Sequence, residues 1–573
     1  MDWIINTENN KDIDELRLLL NADKTLLKIL FNRGFTKEKI IKLFKTPNDY
    51  IIPPEKLKNA NEVAERIKFH IKNNSHIYIF ADYDADGLNS GYIMHNVIKN
   101  IIGKERSKSI VESYYPNRSE GFGLSIDFCN KIIKNKDNKD ILVITVDNGI
   151  SKIDEVNLLK NNNIDVIITD HHESLEEVPD CLICDPHNYF IEQDDTFKHL
   201  CGTGVVFKIC ELLQKKFNFY NMYKYTVNLA IATIADVMPL SDENIVMILY
   251  GIYIMNSKDC PLWIEELKKY LSIKTINPIN IGWDIAPRLN AGGRMDKIKL
   301  CYGLLFEEER DNIKDILCEI EKLNDIKKYI VKEKVKEIND TNSFFIIKIY
   351  DDIPIGLAGI IASKIVETYN KPAIVGIIDN GICKCSVRSV PGIDILEFFK
   401  YELSINNIIS YGGHKEACGL AFEYNKLDSL LYSLNLNMEK IINKTLEKER
   451  ISIDDISQEE RILIDDEKEL KELNEDTYNT IYEIPYNSKE ISKPIFLFKD
   501  CKVISALETK NNKDNLWLTI KQDNNKDKLK IWYQNGSQKY KSIKCPKTID
   551  IVGYIEKDFI SKNKYTLKIV DIK

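Results

Sequence analysis

Three short apolar runs, far apart in this chain, each stop at a carboxylate. His76-Ile77-Tyr78-Ile79-Phe80 leads into Asp82-Tyr83-Asp84-Ala85-Asp86-Gly87. Ile141 to Val146 leads into Asp147, and Val166-Ile167-Ile168-Thr169 leads into Asp170-His171-His172. These runs read as buried strands, with helical segments between them, the first expected from Asn89 to Ile102. Strand–helix alternation predicts an α/β domain built on a doubly wound parallel sheet. All strand ends of such a sheet lie on one edge, where ligands bind. The acids should therefore converge, and converging like charges need a counter-charge. A divalent cation is the simplest.

Asp236 adds a fourth cluster, after the apolar run Leu229 to Ala235. At least four carboxylates and one or two imidazoles exceed the needs of one ion. Two ions about 3.5–4 Å apart, bridged by a shared carboxylate, would use them all. Mixed Asp and His ligation suits manganese and accommodates magnesium, and the absence of thiolates argues against structural zinc. Taken alone, Asp147-Asn148-Gly149 is explained by turn chemistry, and Asp170-His171-His172 fits a surface pair as well as a ligand pair. The reading rests on all four clusters falling at strand or helix ends.

A chain of 573 residues is too long for one core. Residues 1–74 are expected to be helical, with Pro53-Pro54 breaking the layer. Residues 75–255 form the sheet domain. Residues 256–343 are a helical connector with a long helix from about Glu307 to Asn339. Residues 344–435 are a smaller α/β unit. Residues 436–573 comprise a linker and an all-β barrel, with strands at Pro494–Phe498, Leu516–Ile520, Lys528–Trp532, Thr548–Val552 and Thr566–Val570. The net charge of −8 lowers the expectation of non-specific DNA coating but allows a local basic channel. Thirteen cysteines without regular spacing, and no secretory pattern at Met1-Asp2-Trp3-Ile4, point to a reducing cytoplasm. No apolar run is long enough to span a bilayer. Cys181-Leu182-Ile183-Cys184 has zinc-like spacing but no second pair, so buried thiols are expected there. No Gly-x-x-x-x-Gly-Lys-Ser/Thr loop and no Gly-x-Ser-x-Gly elbow is present.

The tripeptide Asp170-His171-His172 and its companions resemble the DHH phosphoesterase superfamily, and most closely its single-stranded-DNA exonucleases. Arg33-Gly34 is similar to their opening. Asp82–Gly87, Val146–Ile150, Thr169–Glu173 and Ala235–Leu240 match four motifs in order, and Pro287–Met295 resembles a fifth. Gly356–Ser363, Ser386-Val387-Arg388-Ser389 and Gly412-Gly413-His414 resemble the DHH-associated domain. The fold implied is a DHH-type parallel-sheet domain and a smaller α/β DHH-associated domain joined by a long helix, with an OB-like barrel beyond. One stretch departs from the pattern: Ile484 to Pro494 stands where a Pro-Phe-Gly…Gly-Asn-Pro segment precedes the barrel in relatives.

The resemblance implies that Asp84, Asp86, His171, His172 and Asp236 hold two divalent ions, manganese or magnesium. Asp147 is the bridging carboxylate, and Asp82 is a ligand or a supporting acid. It implies that Arg118, Arg294, Ser386, Arg388, Ser389 and His414 contact substrate phosphates. It implies metal-dependent 5′→3′ exonuclease action on single-stranded DNA in repair and recombination, with a single-strand-binding protein and a helicase as helpers. No membrane partner and a monomeric state are expected. Trp517, Trp532, Tyr533, Lys528 and Lys530 are candidates for holding the trailing strand. Two rivals remain open: a DHH phosphodiesterase for short oligonucleotides or cyclic dinucleotides, and a non-catalytic single-strand-binding subunit.

Overall fold

The computed structural model describes residues 2–5, 10–136, 140–174, 177–188, 190, 195–338, 345–390, 393–396, 399–400, 407–413, 415–434, 461–486, 491–509, 514–523, 528–557 and 565–573. The chain opens with a strand, β1 (Asp2–Ile5), and not with a helix. Helices Asn10–Leu20, Lys24–Asn32 and Lys37–Lys45 follow. Asp23 and Thr36 cap the second and third by accepting from main-chain N–H groups of their first turns.

The sheet domain contains β2 (His76–Ala81), β3 (Val111–Tyr114), β4 (Ile141–Val146), β5 (Asp165–Thr169) and β6 (Leu182–Cys184). The order is β3-β2-β4-β5-β6, and every pairing is parallel. β4 is buried at all six positions, as expected of a central strand covered on both faces. The helix after β2 spans Ala85–Ile102, four residues earlier than its apolar pattern suggests, because Asp84 caps it from within the acidic loop. The expected cysteine pair lies at the outer edge: Leu182–Cys184 is itself a strand, and Cys184 is buried.

The connector's long helix runs from Arg310 to Lys336. It leads to a second sheet of β7 (Ile346–Tyr350), β8 (Ala373–Asp379), β9 (Ile382–Arg388), β10 (Ser410–Gly413) and β11 (Ala417–Glu423), ordered β10-β11-β9-β8-β7. Helix Ala358–Tyr369 packs on β8 and β9. Two short strands, β12 (Arg461–Ile464) and β13 (Asp466–Glu467), precede the barrel. The barrel comprises β14 (Phe496–Glu508), β15 (Leu516–Lys521), β16 (Leu529–Tyr533), β17 (Thr548–Lys557) and β18 (Tyr565–Ile572). Their order is β16-β15-β14-β17-β18, with β16 and β18 approaching each other so that the sheet nearly closes. β14 is far longer than expected: beyond Phe498 it passes through two register shifts, between Phe498 and Cys501 and between Val503 and Ser505, and stays paired to Glu508.

The N-terminal layer grips the barrel. β1 pairs in parallel with β12. Arg33 donates two hydrogen bonds to Asp465 (2.7 and 3.0 Å) and two more to the carbonyls of Ser492 and Lys493. Lys28 pairs with Asp466, and the Tyr482 hydroxyl donates to Ile555 O (3.0 Å). This is how the segment that departs from the relatives' pattern is held, as far as Tyr486 and again from Ile491; residues 487–490 lie outside the described residues. Both members of the Arg33–Asp465 pair are buried. Arg33→Leu would leave a buried carboxylate short of its counter-charge, at a cost of about 3–5 kcal/mol. The expected outcome is a lowered thermal unfolding midpoint and faster protease cleavage ahead of the barrel. A variant that melts and digests like the wild type would show that the clasp carries no such energy.

Candidate metal centre and phosphate cleft

Strands β2, β4, β5 and β6 are each followed directly by an aspartate: Asp82, Asp147, Asp170 and Asp185. The parallel order puts all four on one edge. Asp84 and Asp86 arrive on the first turn of helix Ala85–Ile102, and Asp236 follows helix Thr226–Ala235. Three overlapping groups result, each with ligand atoms within 4.8 Å of one another: Asp82, Asp84 and Asp147; Asp86, His171 and Asp236; Asp147, His171 and His172. All seven residues expected to hold ions are therefore together, and Asp147 and His171 each belong to two groups. His171 Nε2 stands 3.2 Å from Asp147 and 3.7 Å from both Asp86 and Asp236.

Some of these charges are compensated by the protein. Asp84 Oδ1 accepts from the N–H groups of Asp86 (2.9 Å) and Gly87 (3.0 Å). Asp86 accepts from Gly202 N (2.8 Å) and Thr203 N (2.7 Å), the first turn of helix Gly202–Lys216, whose dipole favours an anion there. A Cβ on Gly202 would meet Asp147 Oδ1 at 2.4 Å, so only glycine lets both acids approach that helix end. Asp170 is not aimed at an ion. It accepts from Ile150 N, His171 N, His172 N and His172 Nδ1, and so orients His172.

Other charges are not compensated. Asp82 Oδ1 and Asp147 Oδ1 are buried acceptors without a hydrogen bond among the described residues. Burial, then the charge of Asp84, pushes Asp82 well above the usual carboxylate range, and burial with Asp86 and Asp84 does the same to Asp147. Asp236 is pushed up to about 8 by burial and the same two neighbours. Burial lowers His171. Burial also pulls His172 down, but the hydrogen bond and charge of Asp170 outweigh it and hold the ring at about 10. Such a set of mutually repelling oxygens with two imidazoles fits hard divalent cations. The backbone is strained at the same place: Asp147 has φ +62° and Val237, next to Asp236, has φ +54°.

A second cluster, of opposite sign, adjoins the first. Arg118 stacks over the Tyr83 ring at 4.4 Å, and its buried Nε has no hydrogen-bond partner among the described residues. Arg294 donates to Gly356 O (3.2 Å) and is pulled down to about 10 by burial and the nearby charges of Arg118 and Arg388. Arg388 is lowered by burial, with a contribution from Arg118. Ser386 and Arg388 share one face of β9, beside Gly359 in the first turn of helix Ala358–Tyr369. Three facing guanidiniums at a helix N-terminus form a site for an anion. Ser389 stands apart from this group: it is buried, and its hydroxyl donates to Ile393 O (2.9 Å). His414 lies outside the described residues.

Helix Ala286–Arg294 joins the features of this cleft. Asn290 Oδ1 accepts from Ala85 N (2.8 Å), bracing the acidic loop. A Cβ on Gly293 would meet Tyr83 O at 2.0 Å, so that backbone approach requires glycine. Asn290 falls within the fifth motif, but the sequence assigns it no role, because a side-chain cap on a turn 205 residues away leaves no local signal. The other end of this helix borders a cavity of about 630 Å³ against the barrel, lined by Lys274, Trp283, Arg288, Tyr482, Lys557 and Lys568 among others. On the barrel, Trp517 and Trp532 are directly opposed across β15 and β16 and are 37% and 41% exposed. The Lys530 ammonium lies 4.6 Å from the Trp517 ring, Lys528 is exposed, and Tyr533 is buried core.

A parallel sheet with acids at the carboxyl ends of its strands, and a smaller α/β domain bringing arginines to the same cleft, defines a DHH-type protein. Family models match in the same order: the DHH family N-terminal domain over residues 76–238, the DHHA1 domain over 341–440, and the RecJ OB domain over 464–571. The chain therefore carries a DHH-type domain, a DHHA1 domain and a RecJ-type OB domain, in that order. It is 31% identical over 464 residues to the single-stranded-DNA-specific exonuclease RecJ of Bacillus subtilis, covering 78% of this chain and 56% of that protein. It is 29% identical over 399 residues to RecJ of Haemophilus influenzae, covering 65% and 67%. The chain thus spans little more than half the length of the first of these relatives. The structure of RecJ in complex with Mn2+ from Thermus thermophilus superposes with a TM-score of 0.75 at 20% identity, over 100% of this chain and 79% of that one. A structure of exonuclease RecJ bound to manganese gives 0.58 at 24% identity, over 67% of this chain and 96% of that one.

The uncompensated carboxylates make a prediction about the protein without ions. Asp236 binds its proton more tightly folded than unfolded, so its ionisation costs stability as pH rises from about 4 toward 8. In excess chelator, Asp236→Asn should be more stable than the wild type at pH 8, with the difference shrinking toward pH 4. Thermal melts across that range check it; a variant no more stable than the wild type at pH 8 would contradict the account.

Proposed function

We propose that this protein is a metal-dependent 5′→3′ exonuclease that hydrolyses phosphodiester bonds of single-stranded DNA, in DNA repair and recombination. One observation carries the reading: a buried carboxylate–imidazole group in need of cations lies directly beside an arginine group in need of an anion. A strand with a terminal phosphate offers what both lack. Its phosphodiester accepts attack at the acids, and its terminal phosphate neutralises the guanidiniums.

Asp82, Asp84, Asp86, Asp147, His171, His172 and Asp236 would hold two divalent ions, manganese or magnesium, with Asp147 shared. Bound there, such ions supply an acidified water and stabilise charge on the phosphate oxygens. Residues of the chain itself do the rest. Asp170 orients His172, and the helix end at Gly202 and Thr203 orients Asp86. Arg118, Arg294 and Arg388, with Ser386 beside them, bind the 5′-terminal phosphate and place the first scissile bond. That placement accounts for end-directed cleavage and for polarity. The cavity at the far end of helix Ala286–Arg294 and the exposed Trp517–Trp532 pair favour a long strand over a dinucleotide, since aromatic faces and lysines grip bases and backbone. The relatives named as single-stranded-DNA-specific exonucleases support the same substrate. A single-strand-binding protein and a helicase are the helpers this reading entails.

The testing experiment is release of nucleotides from end-labelled single strands with Mn2+ or with chelator. Wild type should degrade them only with the metal, and Asp147→Ala should lower turnover by at least about a thousandfold while melting as a folded protein. Turnover retained in Asp147→Ala, or in chelator, would sink the proposal. Arg388→Ala should raise KM about 10–100-fold on 5′-phosphorylated strands, the worth of a lost charge-assisted contact, and much less on 5′-hydroxyl strands. An equal effect on both ends would remove end-reading from the mechanism.

A further inference from the structure

We infer that His187, outside the acid–histidine group, is a positioning residue: its imidazole fixes the main chain of His171 and so sets the aim of the His171 ring at the ion site. The inference rests on the metal-site reading above. His171 is the hub of that site, with Nε2 within 3.7 Å of three different carboxylates. One orientation of the ring serves all three, so something must hold the residue in place.

Among the described residues, the hydrogen bonds that hold His171 act on its backbone. Asp170 Oδ1 accepts from His171 N (2.8 Å), and His171 O lies 2.7 Å from His187 Nδ1. A carbonyl only accepts, so Nδ1 of His187 carries the proton. The two peptide groups of His171 are thereby pinned, one on each side of its Cα, which fixes the point and direction from which the side chain leaves the main chain.

His187 is itself placed by the sheet. It stands three residues beyond β6, after Asp185 and Pro186. Asp185 Oδ1 accepts from His187 N (2.7 Å). The loop after β5 binds back: Ser174 donates to His187 O from Oγ (3.1 Å) and from its main-chain N (3.4 Å), and Asp170 N donates to Cys184 O (3.2 Å). The loops that leave two neighbouring parallel strands are thus laced together, and His187 Nδ1 is the rung that reaches a site residue. Hydrogen-bond partners that orient ion ligands are typically worth about 10–100-fold in metal affinity.

The experiment is Mn2+ titration of the full chain, followed by electron paramagnetic resonance, for wild type, His187→Ala, His187→Asn and His187→Gln, with melting in chelator alongside. An asparagine amide can donate from nearly the place of Nδ1; a glutamine amide reaches past it. Expected are about 10–100-fold weaker Mn2+ binding in His187→Ala and His187→Gln, affinity within a few-fold of wild type in His187→Asn, and similar chelator melts for the Asn and Gln variants. Wild-type affinity in His187→Ala would overturn the inference alone, as would Asn and Gln variants equally weak. A wild-type protein that takes up no Mn2+ would overturn the metal-site reading, and this inference with it.

Discussion

Repulsion among carboxylates held at one sheet edge is the constraint on which the site depends. The sheet has no choice about it, because β2, β4 and β5 run parallel and each ends in an acid. The protein offsets the repulsion selectively. Asp84 and Asp86 are satisfied by the first turns of two helices. Asp170 is satisfied by main-chain donors and His172. Asp82, Asp147 and Asp236, around His171, stay uncompensated, and beyond β6 burial with the charge of Asp170 also pushes Asp185 up to about 8. Buried polar atoms without partners are rare and call for a cause. Here the cause is negative charge that no side chain offsets, at the place where the backbone is also strained.

The arginine cluster repeats the same logic with the sign reversed, and one helix ties the two together. Ala286–Arg294 lays Gly293 on the carbonyl of Tyr83, caps the acidic loop through Asn290, and sends Arg294 to Gly356 of the second domain. The long connector braces that helix from behind: Arg288 forms a forked pair with Glu321 (2.6 and 3.0 Å), and Lys327 donates to Pro287 O (3.1 Å). A shift of the second domain would therefore be felt at the acids through main-chain contacts with little slack. Cation-seeking and anion-seeking groups are kept at a fixed separation, which is what reading a strand end at a set distance from the reacting bond requires.

Much of this is legible in the sequence because its signals are local. Continuous apolar runs mark β2, β4 and β5, and the acids after them follow from the topology of parallel sheets. The edge strands Val111–Tyr114 and Leu182–Cys184 are short and less apolar, and take their conformation from the neighbour they pair with. Asp2–Ile5 is invisible as a strand because its partner lies more than 450 residues away. Lys499 and Asp500 read as the end of the strand that starts before Phe498, whereas barrel pairing carries β14 on to Glu508. Within the site, ligand types are readable and their supports are not. Asn290, Gly202, Thr203 and His187 act through hydrogen bonds to or from backbone atoms of other segments, which leave no spacing pattern. Ser389, which the resemblance groups with Arg388, stands just past the end of β9, where its hydroxyl donates to Ile393 O of its own loop.

The clasp between the N-terminal layer and the barrel constrains orientation in a similar way. A buried ion pair such as Arg33–Asp465 is weak evidence for net stability, because apolar residues of like volume could replace it at no loss. Its value lies in direction: a forked guanidinium–carboxylate contact tolerates one relative orientation, where an apolar patch tolerates many. The pairing of β1 with β12 adds a second contact between the N-terminal layer and the segment that leads into the barrel. The cavity bordered by Trp283 and Lys568 lies between the barrel and the far end of helix Ala286–Arg294. Under the function proposed above, a strand gripped at the barrel and stopped at the arginines would span two sites whose relative orientation is set by residues that line neither of them.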